Sequence, residues 1–127
     1  MQNILRRNQQ LKVKVFAVWE PILFTDWHKP GAGVLARLSD PRVEQIWDRQ
    51  HLEAKQLAKD ARAPQPDPQC CTRHGVLWDL VALYPPALVW MDALPTAVLF
   101  DGPVVDKQPQ AEAILLSLPP PTETNTR

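Results

Sequence analysis

The chain carries two thiols, and they are adjacent: Cys70 and Cys71, followed by Arg73 and His74. Thiolates and an imidazole suit soft metals such as zinc or copper(I). A vicinal pair is not Cys-x-x-Cys, however, and no second pair completes a set of four ligands. Two adjacent thiols can instead close on each other, and such a disulfide could act as a switch. If the pair is redox active it needs a group that favours the thiolate, and Arg73 or His74 is the nearest in sequence. The plainer reading is two loop thiols ahead of a strand.

A second set of chemical groups is Glu20, Asp26 and His28. A carboxylate and an imidazole can do acid–base work. No nucleophile motif accompanies them, so a polar loop is the plainer expectation. His51 stands among charged residues and is expected to be solvated. Gly31 and Gly33 make no phosphate loop, because the lysine and Ser/Thr of that motif do not follow. Five tryptophans are many for 127 residues. Trp19, Trp47 and Trp78 are expected in the core, Trp27 and Trp90 less so.

The elements that would position these groups can be read from the pattern. Residues 1–10 hold Ile4 and Leu5 among polar residues and read as the last turns of a helix. Residues 11–19 alternate, then become apolar on both sides, as a strand entering a covered sheet does. Residues 20–40, with Pro21, Pro30, Gly31 and Gly33, read as a long loop with one helical turn near 34–38. Asp40 followed by Pro41 is a good helix start. Val43, Ile46, Trp47, Ala54, Leu57, Ala58 and Ala61 recur at helical spacing, which predicts a helix over about 41–61.

Residues 63–73 carry three prolines and read as a loop. Residues 76–84 read as a strand stopped by Pro85 and Pro86. Residues 96–100 are a second short strand, and Asp101-Gly102 signals a tight turn. Residues 103–106 would be an edge strand opened by Pro103. Pro109 would open a last helix over 109–118, with Ala111, Ile114, Leu115 and Leu118 on one face. Residues 119–127 are expected to be a disordered tail. The whole is one α/β domain over residues 1–118.

Composition narrows the function classes. Basic and acidic residues balance at 14 each. That gives no global pull toward nucleic acid or an acidic membrane. Arg6, Arg7, Lys12 and Lys14 make too thin a basic footprint to change this. No run of about 18 apolar residues exists for a membrane span. The N-terminus lacks the apolar stretch of a signal peptide. The expectation is a cytoplasmic chain with reduced thiols. No cofactor is expected.

The run Leu94-Pro95-Thr96-Ala97-Val98-Leu99-Phe100-Asp101-Gly102, with a strand and helix after it, resembles the C-terminal half of thioredoxin-like proteins. The segments WEPILFTDW and LSDPR are similar to those of a group of bacterial thioredoxin-like proteins. The resemblance implies an incomplete thioredoxin-like fold with a mixed sheet of about four strands. It implies that Pro95 is the family's cis-proline. Leu94 and Pro95 would then present their backbone to an extended peptide or a protein thiol substrate. The family's Cys-x-x-Cys and the strand before it have no counterpart here. The chain is therefore expected to be an N-terminally truncated member, inactive as a dithiol oxidoreductase. The alternative is a non-catalytic peptide-binding or assembly module. It would use the edge at Val104–Val105, or complete its sheet with a second copy as a homo-oligomer.

Overall fold

A computed structural model describes residues 1–23, 25–61, 65–66 and 70–120. The elements in chain order are α1 (Gln2–Arg7), β1 (Val15–Trp19), α2 (Ala32–Leu35), β2 (Val43–Trp47), α3 (Leu52–Asp60), β3 (Thr72–Arg73), β4 (Val76–Leu77), β5 (Val81–Leu83), β6 (Leu99–Asp101) and α4 (Val104–Ser117). The fold is mixed α/β. Among the described residues, six strands form three two-stranded sheets, not one sheet of about four strands. The predicted tail falls mostly at 121–127, outside the described residues. Among the described residues, no helix is long and apolar enough to cross a membrane.

β1 and β2 pair in parallel, with Val15 opposite Val43 and Trp19 opposite Trp47. The long connection between them contains α2 and a 3-10 turn at Ala36–Leu38, close to where a helical turn is expected. β5 and β6 pair antiparallel, with Leu83 opposite Leu99. This ribbon is the centre of the molecule, and it is covered on both faces. Successive side chains of a strand point to opposite faces. Val81, Leu83 and Leu99 join Ile4, Ala111 and Leu115 on the side of α1 and α4. Phe100 joins Ala61, Leu77, Leu94 and Ala97 on the other, with Leu57 and Ala58 of α3. Ile4, Leu5 and Phe100 are the largest fully buried side chains.

The helix expected over 41–61 is two elements. Its first half is β2. Val43, Ile46 and Trp47 are residues a pleated, half-buried strand accepts well, and five residues cannot distinguish the two periods. Asp40 does not cap a helix. Its carboxylate accepts from the Arg42 backbone N–H at 3.0 Å and holds the Arg42 guanidinium. The helix starts later, where the Asp48 carboxylate accepts from the N–H groups of Leu52 and Ala54. These are donors that the first turn of α3 leaves unpaired.

Three further expectations change. The strand expected over 76–84 breaks into β4 and β5, because Asp79 lies in the left-handed region at φ 50°. The expected edge strand at 103–106 is the first turn of α4. Pro109 lies inside that helix instead of opening it. Its missing N–H leaves the Val105 carbonyl without a helical partner, and Val105 is exposed. Ala111 and Leu115, part of the predicted apolar face, are buried.

α1 is fastened to α4 by polar contacts as well as by Ile4. Arg7 donates to both oxygens of Glu112, at 3.3 and 2.7 Å. Asn8 Nδ2 donates to Glu112 Oε1 at 2.8 Å and to the Ile4 carbonyl at 2.9 Å. These bonds hold the Glu112 carboxyl below its usual range, Arg7 being the larger cause.

Candidate functional site

The adjacent cysteines are joined as a disulfide. Their loop is built from unusual backbone. Cys71, His74, Gly75 and Asp79 all have positive φ. Positive φ is uncommon for residues other than glycine, and here it falls three times in nine residues. His74 and Gly75 have a plain reason. β3 and β4 form a hairpin, with Arg73 opposite Val76, and these two residues are its turn. A two-residue turn with positive φ at both positions matches the twist of the strands it joins. His74 is thus an exposed turn corner. Among the described residues, no group of three or more His, Cys, Asp or Glu side chains is placed to hold a metal ion.

The pair lines an open groove of about 540 Å³, together with Arg73, Trp78, Asp79 and Gly102. Gly102 is what lets the walls meet. A Cβ placed on it would lie 2.3 Å from the Asp79 carbonyl oxygen and 2.7 Å from Cys71 Sγ. β6 therefore brings its end against the cysteine loop at a residue without a side chain. Cys71 packs against the Phe100 cluster. Cys70 Sγ lies 3.6 Å from Asp101 Oδ1. Asp101 in turn pairs with Lys107 of α4. The Lys107 ammonium, then the Gly102 N–H, hold the Asp101 carboxyl below its usual range. Cys70 of the disulfide is thus placed beside an anion. Arg73 is in the groove with them, as sequence proximity suggests, and His74 is not part of the lining.

Leu94 and Pro95 are placed differently from the expectation. Leu94 is 8% exposed and belongs to the Phe100 cluster. The Pro95 carbonyl accepts from Gln65 Nε2 at 2.8 Å, and Gln65 Oε1 accepts from the Ala97 N–H at 2.9 Å. Gln65 is itself buried, so this backbone is satisfied from inside. Among the described residues the cis bond is Gly102–Pro103, not Leu94–Pro95. Val104 and Val105 begin α4 and offer no strand edge to an extended peptide.

A second pairing is invisible in the sequence. Glu20 follows β1 and His51 precedes α3. The two strands end side by side, which brings His51 Nδ1 to 2.8 Å from Glu20 Oε2. His51 is half-buried, not solvated, and takes a left-handed backbone at φ 55°. Burial pushes the Glu20 carboxyl above its usual value, and the His51 contact offsets part of that rise. Asp26 and His28 do not join this pair. Asp26 accepts from the Leu23 N–H at 3.0 Å as a local turn.

The Glu20 shift has a testable sign. The folded chain holds this proton more tightly than the unfolded chain does. Stability therefore falls as pH rises from the ordinary glutamate value through the folded one. Glu20→Gln keeps an acceptor for His51 and removes the charge. The difference in urea midpoint between native chain and variant is expected to move in the variant's favour as pH rises from about 4 to about 7, above the ordinary glutamate range. A difference that stays flat with pH would sink the burial argument.

A scan against family models, a search of curated proteins and a search of solved structures each found no match.

Proposed function

We propose that this chain is a thiol switch whose redox chemistry rests on Cys70 and Cys71. The observation that carries the reading is the disulfide that lines an open groove, with Gly102 against Cys71. The couple is a two-electron one. A partner dithiol is oxidised to a disulfide while Cys70–Cys71 becomes two thiols, and each proton ends on a sulfur. The partners this suits are protein or small-molecule dithiols. A pair that cycles in this way fits a reducing cytoplasm, where protein disulfides are usually transient and regulatory. The reading makes the chain a thiol switch and not a general disulfide reductase, because no Cys-x-x-Cys is present.

Two assays test it together. Dithiothreitol acting on the native chain is expected to release two thiols, and oxidised glutathione to close them again. Insulin reduction by the chain is expected to be no faster than by the Cys70→Ser/Cys71→Ser variant. Thiols that stay free in the presence of oxidised glutathione would remove the redox reading. Insulin reduction above the variant would make the chain a competent reductase instead of a switch.

A further inference from the structure

We infer that β1 pairs with β1 of a second copy of the chain. The two strands run antiparallel about a two-fold axis at Ala17 and join two small sheets into one of four strands. This pairing does not depend on the redox reading. It starts from the direction in which the backbone of β1 points. The Val15 N–H donates to the Arg42 carbonyl, and the Trp19 carbonyl accepts from the Asp48 N–H. In a strand the N–H and C=O of one residue point to the same side, and successive residues alternate. Val15, Ala17 and Trp19 therefore face β2, and the N–H and C=O groups of Phe16 and Val18 face away from it. Among the described residues no strand lies on that side of β1.

The side chains on one face of this sheet are uncovered as well. Phe16 is 60% exposed and Val18 37%. Lys14 and Glu44, also exposed, pair at 3.2 Å. The other face is covered, where Gln45 Nε2 donates to the carbonyls of Leu35 and Leu38. Parallel sheets usually have both faces covered. Natural sheet edges are blunted by a charge or a proline. From Phe16 to Trp19 this edge has neither.

Charge and register name the second copy as the occupant. An antiparallel self-pairing centred on Ala17 sets Phe16 opposite Val18 of the second copy, and Val18 opposite its Phe16. A two-fold axis normal to the sheet keeps these side chains on one face. Ile46, the neighbour of Val18 on β2, extends the apolar row on both sides. One step beyond the strand ends, Lys14 comes opposite Glu20 of the second copy. Glu20 Oε2 is held by His51, whereas its Oε1 has no hydrogen bond among the described residues and is not buried. Opposite charges across a strand pair are favourable. Sliding one strand by two residues loses the match, since it sets Lys14 opposite Val18 or Phe16 opposite Glu20. The strand is basic before it starts and acidic after it ends, so reversed it is complementary to itself. An isologous contact requires that self-complementarity.

The test uses the full chain under dithiothreitol, so that no disulfide joins two copies. Its mass by sedimentation equilibrium is expected to rise from 14.4 kDa toward twice that value between about 1 and about 500 µM. Over the same range, amide exchange at Phe16 and Val18 is expected to slow by about tenfold. Phe16→Lys/Val18→Lys is expected to stay at 14.4 kDa, and to melt with the native chain because both side chains are exposed. Lys14→Glu sets like charges opposite each other and is expected to weaken the dimer several-fold. A dimer that survives Phe16→Lys/Val18→Lys, or whose Phe16 and Val18 amides still exchange fast, lies on another surface and overturns the pairing. Association that runs past the dimer overturns the two-fold arrangement. A Lys14→Glu dimer of native affinity overturns the register. A chain that stays monomeric throughout overturns the second copy as occupant. If a synthetic peptide of residues 14–20 then slows the two amides, the edge belongs to an extended peptide instead.

Discussion

Gly102→Ala is expected to lower the melting temperature by about 10 °C, on the order of 3 kcal/mol for a chain of this size. The reason is the nature of the two atoms in the way. A Cβ would stand 2.3 Å from a backbone carbonyl oxygen, that of Asp79, and 2.7 Å from Cys71 Sγ. A flexible side chain could swing aside, but a carbonyl moves only with its peptide. Asp79 is already committed elsewhere. Its Oδ1 accepts from the Val104 N–H at 3.0 Å, which satisfies one donor at the start of α4. Pushing Asp79 away therefore loosens the helix whose Ala111 and Leu115 close the first core cluster. Gly31→Ala is the control, since nothing lies within 4 Å of a Cβ there. Thermal unfolding followed by circular dichroism decides the matter. A Gly102→Ala chain that melts within about 2 °C of the native one would show that β6 does not press on the cysteine loop.

The same residue shows where reading a sequence stops. Asp101-Gly102 carries a turn signal that any hairpin would share. The need for glycine comes from a loop 23 to 31 positions earlier, and no local pattern reports that. What the sequence does expose is local. The alternation after Leu11 marks β1, though pairing begins only at Val15. The spacing of Ala111, Ile114 and Leu115 marks α4, though Pro109 suggests too late a start. The cysteines announce themselves by type, but their neighbours do not. Gly102 and Asp101 are brought to them by β6, and Glu20 meets His51 only because β1 and β2 lie parallel. Leu94 and Pro95 fit a family pattern in sequence, yet burial and Gln65 occupy the groups that pattern would expose. Over 41–61 five residues cannot distinguish the two periods, and the contacts of Arg42 with distant backbone are not visible in the pattern.

Arg42 falls inside the helix expected over about 41–61, and it is instead a hub of hydrogen bonds at the start of the strand at 43–47. Its guanidinium donates to three backbone carbonyls: Leu5 at 2.7 Å, Asn8 at 3.0 Å and Leu11 at 3.1 Å. It also holds both carboxylate oxygens of Asp40 at 2.8 Å. The Leu5 carbonyl belongs to the last turn of α1 and also accepts from the Asn8 N–H at 3.3 Å. Arg42's own carbonyl accepts from the Val15 N–H at 2.9 Å, the first bond between the two parallel strands. One side chain thus joins the end of α1, the approach to β1 and the start of β2. Arg42→Met keeps the apolar stem and removes every one of these donors. It is expected to lower the melting temperature by about 5 °C, because three charge-assisted bonds and the Asp40 pair are lost while the Leu5, Asn8 and Leu11 carbonyls each keep one backbone N–H donor. Arg42→Lys retains the charge but not the planar fork, so it is expected to recover only part of the loss. The pH dependence separates this from a simple packing defect. Arg42 holds the Asp40 carboxyl down to about 2. The pair's contribution is therefore present above the ordinary aspartate value and is lost as pH falls through the folded one. The gap in stability between native chain and Arg42→Met is expected to narrow toward pH 2. A gap of constant size down the whole acid range would show that the Asp40 pair contributes nothing and would assign the effect to the other contacts of Arg42.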